Sequence, residues 1–261
     1  MPTISFLGTG SGIPSADRFF SSHLLHLDGV HLLVDAGEPC VHLLRDRGDL
    51  LRDIDAVVIT HGHVDHIGGL PAFLQGAMLT GRTKPLPIYL PGEMISPLRA
   101  WIRALYLTEE GLGFPVSWRA WEKGVQEGIA GTITVTPRAN RHLEQCYRTL
   151  VGADVERACA SFSLEIRKEN FRVIFSGDLS DPLELLPWVS EPLTVLVCEL
   201  SHYSPEQLVG ALQGAAVETL CLVHLSEEYA REKSDVKMQL EQSLPALKDI
   251  FLPEDGEILD F

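Results

Sequence analysis

The order of segments predicts an α+β chain: a four-layer αββα sandwich of two mixed sheets face to face, with helices outside. Two observations carry this reading. Strands come first and helices after, and that succession occurs twice along the 261 residues. Several early strands also come as hairpins, which a single doubly wound sheet with parallel crossovers would not allow. The whole span, 1–261, is expected to be one domain, at the upper end of single-domain size.

Local patterns justify each element in turn. ISFL (4–7) is a short strand, and SSHLLHLDG with HLLVDAG forms a hairpin around Asp28–Gly29. PCVHLLRDRGDL reads as a short helix, DAVVIT (55–60) as a buried strand and HIGGLPAFLQGAM (66–78) as the start of a helix. IYL (88–90) adds a strand and the periodicity of 94–107 a helix. In the second half, TITVTP (132–137), SFSLEI (161–166), FRVIFSGD (171–178) and the nearly all-apolar LTVLVCEL (193–200) are strands. SPEQLVGALQGAA (204–216) is a helix capped by Ser204, with Pro205 first and Gln207 closing a capping box. TLCLVHL is another buried strand, SEEYAREKSDVKMQLEQSL (226–244) a helix that Ser226 caps, and ILDF a terminal edge strand.

Composition narrows the classes. MPTISFLGTG lacks a basic region followed by an apolar run, so no secretory signal is expected, and no apolar stretch approaches the roughly 18 residues of a membrane span. The five cysteines are odd in number and form no CxxC pair, which fits reduced, mostly buried thiols in a cytoplasmic protein. A net charge of −15 disfavours an extended polyphosphate partner. The nearest basic surface is Arg138, Arg141, Arg148 and Arg157, interrupted by Glu144, Asp154 and Glu156.

THGHVDHIGG (60–69) sets three histidines and an aspartate directly after a buried strand. An apolar face does not call for such a cluster, and a solvent loop does not need it. His61 and His63, two apart in an extended loop, can point one way while Asp65 and His66 enter a helix and point elsewhere. His142 follows TITVTP, Asp178 ends FRVIFSGD and His224 ends TLCLV, so every candidate ligand lies just past an apolar strand. Seven such groups suffice for two metal ions. His23, His26, His31 and His42 lack this placement and are expected to be ordinary polar residues. AWIRALYLTEEGLGFPVSWRAWEK (100–123) holds three of the four tryptophans; core packing of a helix and loop is its ordinary reading, a substrate wall or dimer contact its functional one.

FLGTGSGIPSADR (6–18), LLVDAGE (32–38), THGHVDHIGGL (60–70), FSGD (175–178) and LVHLSEEY (222–229) together resemble the metallo-β-lactamase superfamily, on its ribonuclease Z-like and phosphodiesterase-like side. The resemblance implies an αββα sandwich with two Zn2+, or Mn2+ or another divalent metal in their place. His61, His63 and His142 would hold the first ion, Asp65, His66 and His224 the second, with Asp178 between them and Asp35 orienting a ligating loop. It also implies three catalytic residues: Asp65, to orient the attacking water, and His202 paired with Glu199, to protonate the leaving group.

Departures from the family pattern bear on substrate. SEEY replaces an S-x-R-Y pattern, so Glu228 stands where an arginine would help hold phosphate, and Cys198 replaces a histidine of the family's HEATF-like segment. No basic, glycine- and proline-rich tRNA-binding arm is visible, and 143–160 is longer than the family's usual connection. The expected function is therefore a dinuclear-zinc phosphodiesterase acting on a small or nucleotide-type diester. Ribonuclease Z-type tRNA 3′ processing is the alternative, and a non-catalytic metal-binding or sensing protein a further one. No membrane partner is expected; the family likeness admits a homodimer.

Overall fold

The computed structural model describes residues 1–13, 15–48, 50–144 and 159–261, and within it the chain forms two compact units. The first comprises Met1–Glu122 with Glu254–Phe261, the second Lys123–Pro253. Cys146, Arg148, Asp154, Glu156 and Arg157 lie outside the described residues.

The first unit carries β1 (Thr3–Gly8), β2 (Ser22–Leu27), β3 (Val30–Val34), β4 (Ala56–Val58), β5 (Leu86–Leu90), β6 (Val116–Ala120) and, from the far end of the chain, β14 (Ile258–Asp260). They form one sheet in the order β14-β1-β2-β3-β4-β5-β6, its first three pairings antiparallel and its last three parallel. Asp28 and Gly29 make the β2–β3 turn at φ 51° and 79°, the left-handed pair a two-residue hairpin needs. Helices α1 (Cys40–Asp46), α3 (Leu70–Leu79) and α4 (Ile95–Ala104) pack Leu44, Phe73, Leu74 and Ile102 against Leu33, Val57 and Ile88. Each fully buried leucine or phenylalanine contributes about 1.5–3 kcal/mol. Ala56, Val57 and Val58 are consecutive and all buried, so both faces of the sheet are covered.

The second unit repeats that grammar. Its strands are β7 (Glu127–Ala130), β8 (Ile133–Asn140), β9 (Ser161–Lys168), β10 (Phe171–Phe175), β11 (Leu193–Leu200), β12 (Val217–Leu225) and β13 (Asp249–Phe251), in that order across the sheet. Again three antiparallel pairings precede three parallel ones. Helices α5 (Leu186–Val189), α6 (Pro205–Leu212) and α8 (Lys233–Ser243) bury Trp188, Leu208 and Leu240 against Leu196, Cys198 and Leu222. Two mixed seven-stranded sheets, each with its helices, are the layers of the αββα class that the sequence predicts.

Several boundaries differ from expectation for local reasons. The helix after His63 is two pieces, α2 (Val64–Ile67) and α3, because Pro71 has no N–H to continue the ladder. A Cβ on Gly69 at the junction would stand 2.7 Å from the Ala36 carbonyl oxygen. The 226–244 helix breaks at Glu232 into α7 (Glu227–Arg231) and α8. Part of the tryptophan-rich 100–123 stretch is strand β6, where a helix and loop are expected. Trp121 is buried and its Nε1 donates to the Ile59 carbonyl at 2.8 Å, whereas Trp101 is 43% exposed. No helix among the described residues is long and apolar enough to cross a membrane.

Candidate metal centre

In the first unit the cluster is built where β3 and β4, parallel neighbours, end at the same sheet edge. Asp35 follows β3 in the left-handed region, φ 57°, an uncommon conformation that aspartate tolerates. It turns a buried carboxylate under the 60–66 loop, accepting from the Thr60 N–H at 2.8 Å and from Thr60 Oγ1 at 2.9 Å. Its Oδ2 also lies 2.7 Å from His66 Nδ1. Thr60 Oγ1, its own proton given to Asp35, stands 3.1 Å from His61 Nδ1 and can accept from it. One carboxylate thereby orients two imidazoles, directly and through a hydroxyl, and leaves Nε2 of each as the nitrogen that could bind a metal.

His63, extended at φ −66° and ψ 147°, precedes α2 and brings its Nδ1 to 3.1 Å from His61 Nε2. Asp65 and His66 sit in α2, with Asp65 Oδ2 3.6 Å from His66 Nε2. His61, Asp65 and His66 are buried and His63 is half-buried.

The second unit assembles its cluster around Asp178. That carboxylate, just beyond β10, places Oδ2 3.5 Å from His142 Nε2 and Oδ1 3.6 Å from His224 Nε2. These separations are too long for hydrogen bonds. Two donors bound at about 2.1 Å to one tetrahedral ion would sit about 3.4 Å apart. His224 is a bulge residue: Val223 pairs with Glu199 and Leu225 with Leu200, leaving His224 extra at φ 50°. The bulge re-aims its ring.

Glu199 organises this cluster. It is buried in β11, within the 193–200 strand that the sequence predicts. Its Oε1 accepts from the Leu179 N–H at 3.1 Å and lies 3.0 Å from His202 Nδ1, while Oε2 accepts from the Ser201 N–H at 2.7 Å. Ser201 Oγ in turn lies 3.0 Å from His224 Nδ1. Neither Ser201 nor Thr60 stands out in the sequence; adjacency to His202 and to His61 was the only signal. His202 Nε2 is 4.0 Å from Asp178 Oδ2, and the donor atoms of Asp178, His202 and His224 all lie within 4.8 Å of one another.

The histidines expected to be ordinary do other work: His26 stacks on His31, His23 meets the Phe6 ring edge-on, and His42 pairs with Asp46. Arg138, from the basic stretch, stacks over Trp188 at 4.2 Å. Burial pushes the Cys198 thiol up to about 12, and it pairs with the Tyr203 hydroxyl at 3.2 Å. The two clusters are thus imidazole and carboxylate alone, a donor set for a divalent ion at a reactive site and unlike thiol-rich structural zinc.

A family model described as "Anti-Pycsar protein Apyc1" matches residues 2–242. The chain belongs to that family. A ribonuclease Z of Clostridium novyi is 42% identical over 94 residues, 36% of this chain and 30% of the relative. The first curated relatives are matched over only 30–39% of their own length. A ribonuclease Z of Shouchella clausii aligns along 97% of this chain and 95% of its own length, at 27% identity. The crystal structure of the metallo-β-lactamase fold protein YhfI from Bacillus subtilis covers 99% of both chains, with a TM-score of 0.74 at 20% identity. This member of the Apyc1 family has the metallo-β-lactamase fold and is similar in sequence to ribonucleases Z. Its histidine/aspartate clusters could hold divalent metal ions.

Proposed function

We propose that residues 1–261 act as one domain and hydrolyse a small, nucleotide-type phosphodiester with the help of two divalent ions, zinc foremost. In this reading His61, His63, Asp65 and His66 of the first unit and His142, Asp178 and His224 of the second would be the metal ligands. Such ions supply Lewis acidity toward phosphoryl oxygens and lower the pKa of a water. The chain's own residues do the rest. Asp65, buried at the start of α2, orients the attacking water and takes its proton. Glu199 holds His202 by Nδ1, which turns Nε2 outward to protonate the leaving oxygen. The His202 side chain is 35% exposed, so an incoming substrate can reach it.

The observation that carries this reading is the donor set: histidines and aspartates at strand ends, with His61, His66 and His224 each set against a hydroxyl or a buried carboxylate. The small-diester choice is supported by the net charge of −15 and by Glu228, exposed on α7 where an arginine would hold phosphate. Ribonuclease Z-type tRNA processing is the second reading, and the names of the curated relatives back it better than the first. Turnover of bis(p-nitrophenyl) phosphate that chelator abolishes tests the hydrolase. A panel of diesters, cyclic nucleotides and a precursor tRNA at one salt concentration then separates the readings. Cleavage of precursor tRNA alone would overturn the small-diester choice, and inertness toward all of them the hydrolase itself.

A further inference from the structure

The GTGSGIPSADR loop has both of its feet tied to one carboxylate near the other end of the chain. Asp255 Oδ1 accepts from the Thr9 N–H at 2.8 Å and from Thr9 Oγ1 at 2.6 Å, and its Oδ2 accepts from the Phe19 N–H. Arg18, buried within the loop, donates to Thr9 Oγ1 at 2.5 Å and pairs with Glu254 at 3.4 Å. The Gly10 N–H closes the neck on the Phe19 carbonyl at 2.7 Å. A loop of this composition would otherwise sample many conformations, and its ends are held by three donors converging on one acceptor group.

What the clamp holds stands against Asp65 on two sides. At the tip, a Cβ on Gly12 would lie 3.4 Å from Asp65 Oδ2. Past the neck, the Phe20 N–H bonds the Glu38 carbonyl at 3.2 Å and the Gly37 N–H bonds the Ser21 carbonyl at 3.0 Å. Gly37 is wedged so closely that a Cβ there would stand 2.3 Å from the Asp65 carbonyl oxygen and 2.7 Å from Phe20 Cβ. The neighbouring Ala36 N–H bonds the His66 carbonyl at 2.7 Å. A continuous run of contacts therefore leads from Asp255 through Phe19, Phe20 and Gly37 to the backbone of Asp65 and His66.

We infer that Asp255 is a positioning residue for Asp65: by clamping the 9–20 loop it fixes the wall and the backbone floor that set where the Asp65 carboxylate points. The catalytic half of this statement rests on the hydrolase reading; the mechanical half does not.

The test uses the full chain, metal-loaded, with Asp255→Asn and Asp255→Ala. The asparagine keeps an acceptor for Thr9 but presents an amide donor to the Phe19 N–H, opening one foot only. Amide exchange at Thr9, Gly10, Phe19, Phe20 and Gly37 is expected to quicken tenfold or more by an order-of-magnitude reckoning, with α3 unchanged. With bis(p-nitrophenyl) phosphate, kcat is expected to fall about 10–100-fold while KM moves less than about threefold, as for a misplaced reacting group. Exchange that quickens only at Thr9 and Phe19, with Gly37 and kcat unmoved, overturns the inference. So does faster exchange throughout β1–β6, which would make Asp255 a general stabiliser. If the unaltered protein hydrolyses no diester, the proposed function fails, and exchange at Gly37 still decides the clamp.

Discussion

Oδ2 of Asp35 lies 2.7 Å from Nδ1 of His66, with both side chains buried. The same carboxylate accepts from Thr60, which stands against His61. Asp35→Asn replaces one acceptor oxygen with a donor and disturbs the orientation of two of the proposed ligand rings at once. Metal affinity is expected to fall about 10–100-fold, the usual cost of losing an outer-shell partner. Competition against a chromophoric chelator measures it; unchanged affinity would assign Asp35 to holding the loop alone.

Elemental analysis is expected to find close to two divalent ions per chain, on the order set by seven imidazole and carboxylate donors. His63→Ala should abolish hydrolysis without unfolding the chain, because His63 is half-buried and precedes a short helix rather than filling a core. Circular dichroism with turnover checks both halves.

His202 can be a proton donor or a ligand, since its donor atom falls within reach of Asp178 and His224. Its tie to buried Glu199 suits the donor role. Replacing it by alanine should lower kcat by roughly 10²–10⁴-fold with metal content unchanged. Loss of one equivalent of metal in that variant would make it a ligand instead.

Burial raises the thiols of Cys40, Cys198 and Cys221 above their ordinary range, Cys198 to about 12 from 9.0. A folded-state pKa above the unfolded one means the folded chain retains a proton that the unfolded chain gives up. Stability is therefore full below about pH 9 and falls as pH rises through the folded value, by about 1.4 kcal/mol per pH unit for each such thiol. Urea unfolding of Cys221→Ala against the unaltered chain at two alkaline pH values measures the slope. Equal slopes would show that Cys221 ionises as readily folded as unfolded.

Much of the site was legible because strand ends and donor chemistry are local. The alternation in HGHVDH puts His61 and His63 ahead of a helical turn that holds Asp65 and His66, and the structure has His63 extended before α2. The Ser204 capping box is present as read, with the Ser204 N–H donating to Gln207 Oε1 at 2.9 Å. Illegible were β7 and β13, short edge strands with a single partner each, and β6, whose exposed residues carry little apolar signal. The partners of Glu199 were hidden for a similar reason: nothing near it in sequence announces that Leu179 will donate to it.

The sequence alone determined which atoms can meet a metal and where strands must end, since residue type and two-residue periodicity are properties of neighbours along the chain. Only the tertiary structure decided how those atoms are aimed. Asp35 under His66, Glu199 under His202 and Asp255 under the 9–20 loop are hydrogen bonds whose partners, except in the Glu199 pair, are separated by tens to hundreds of residues. Such bonds depend on sheet register and strand-end geometry, which the whole fold sets and no short segment contains.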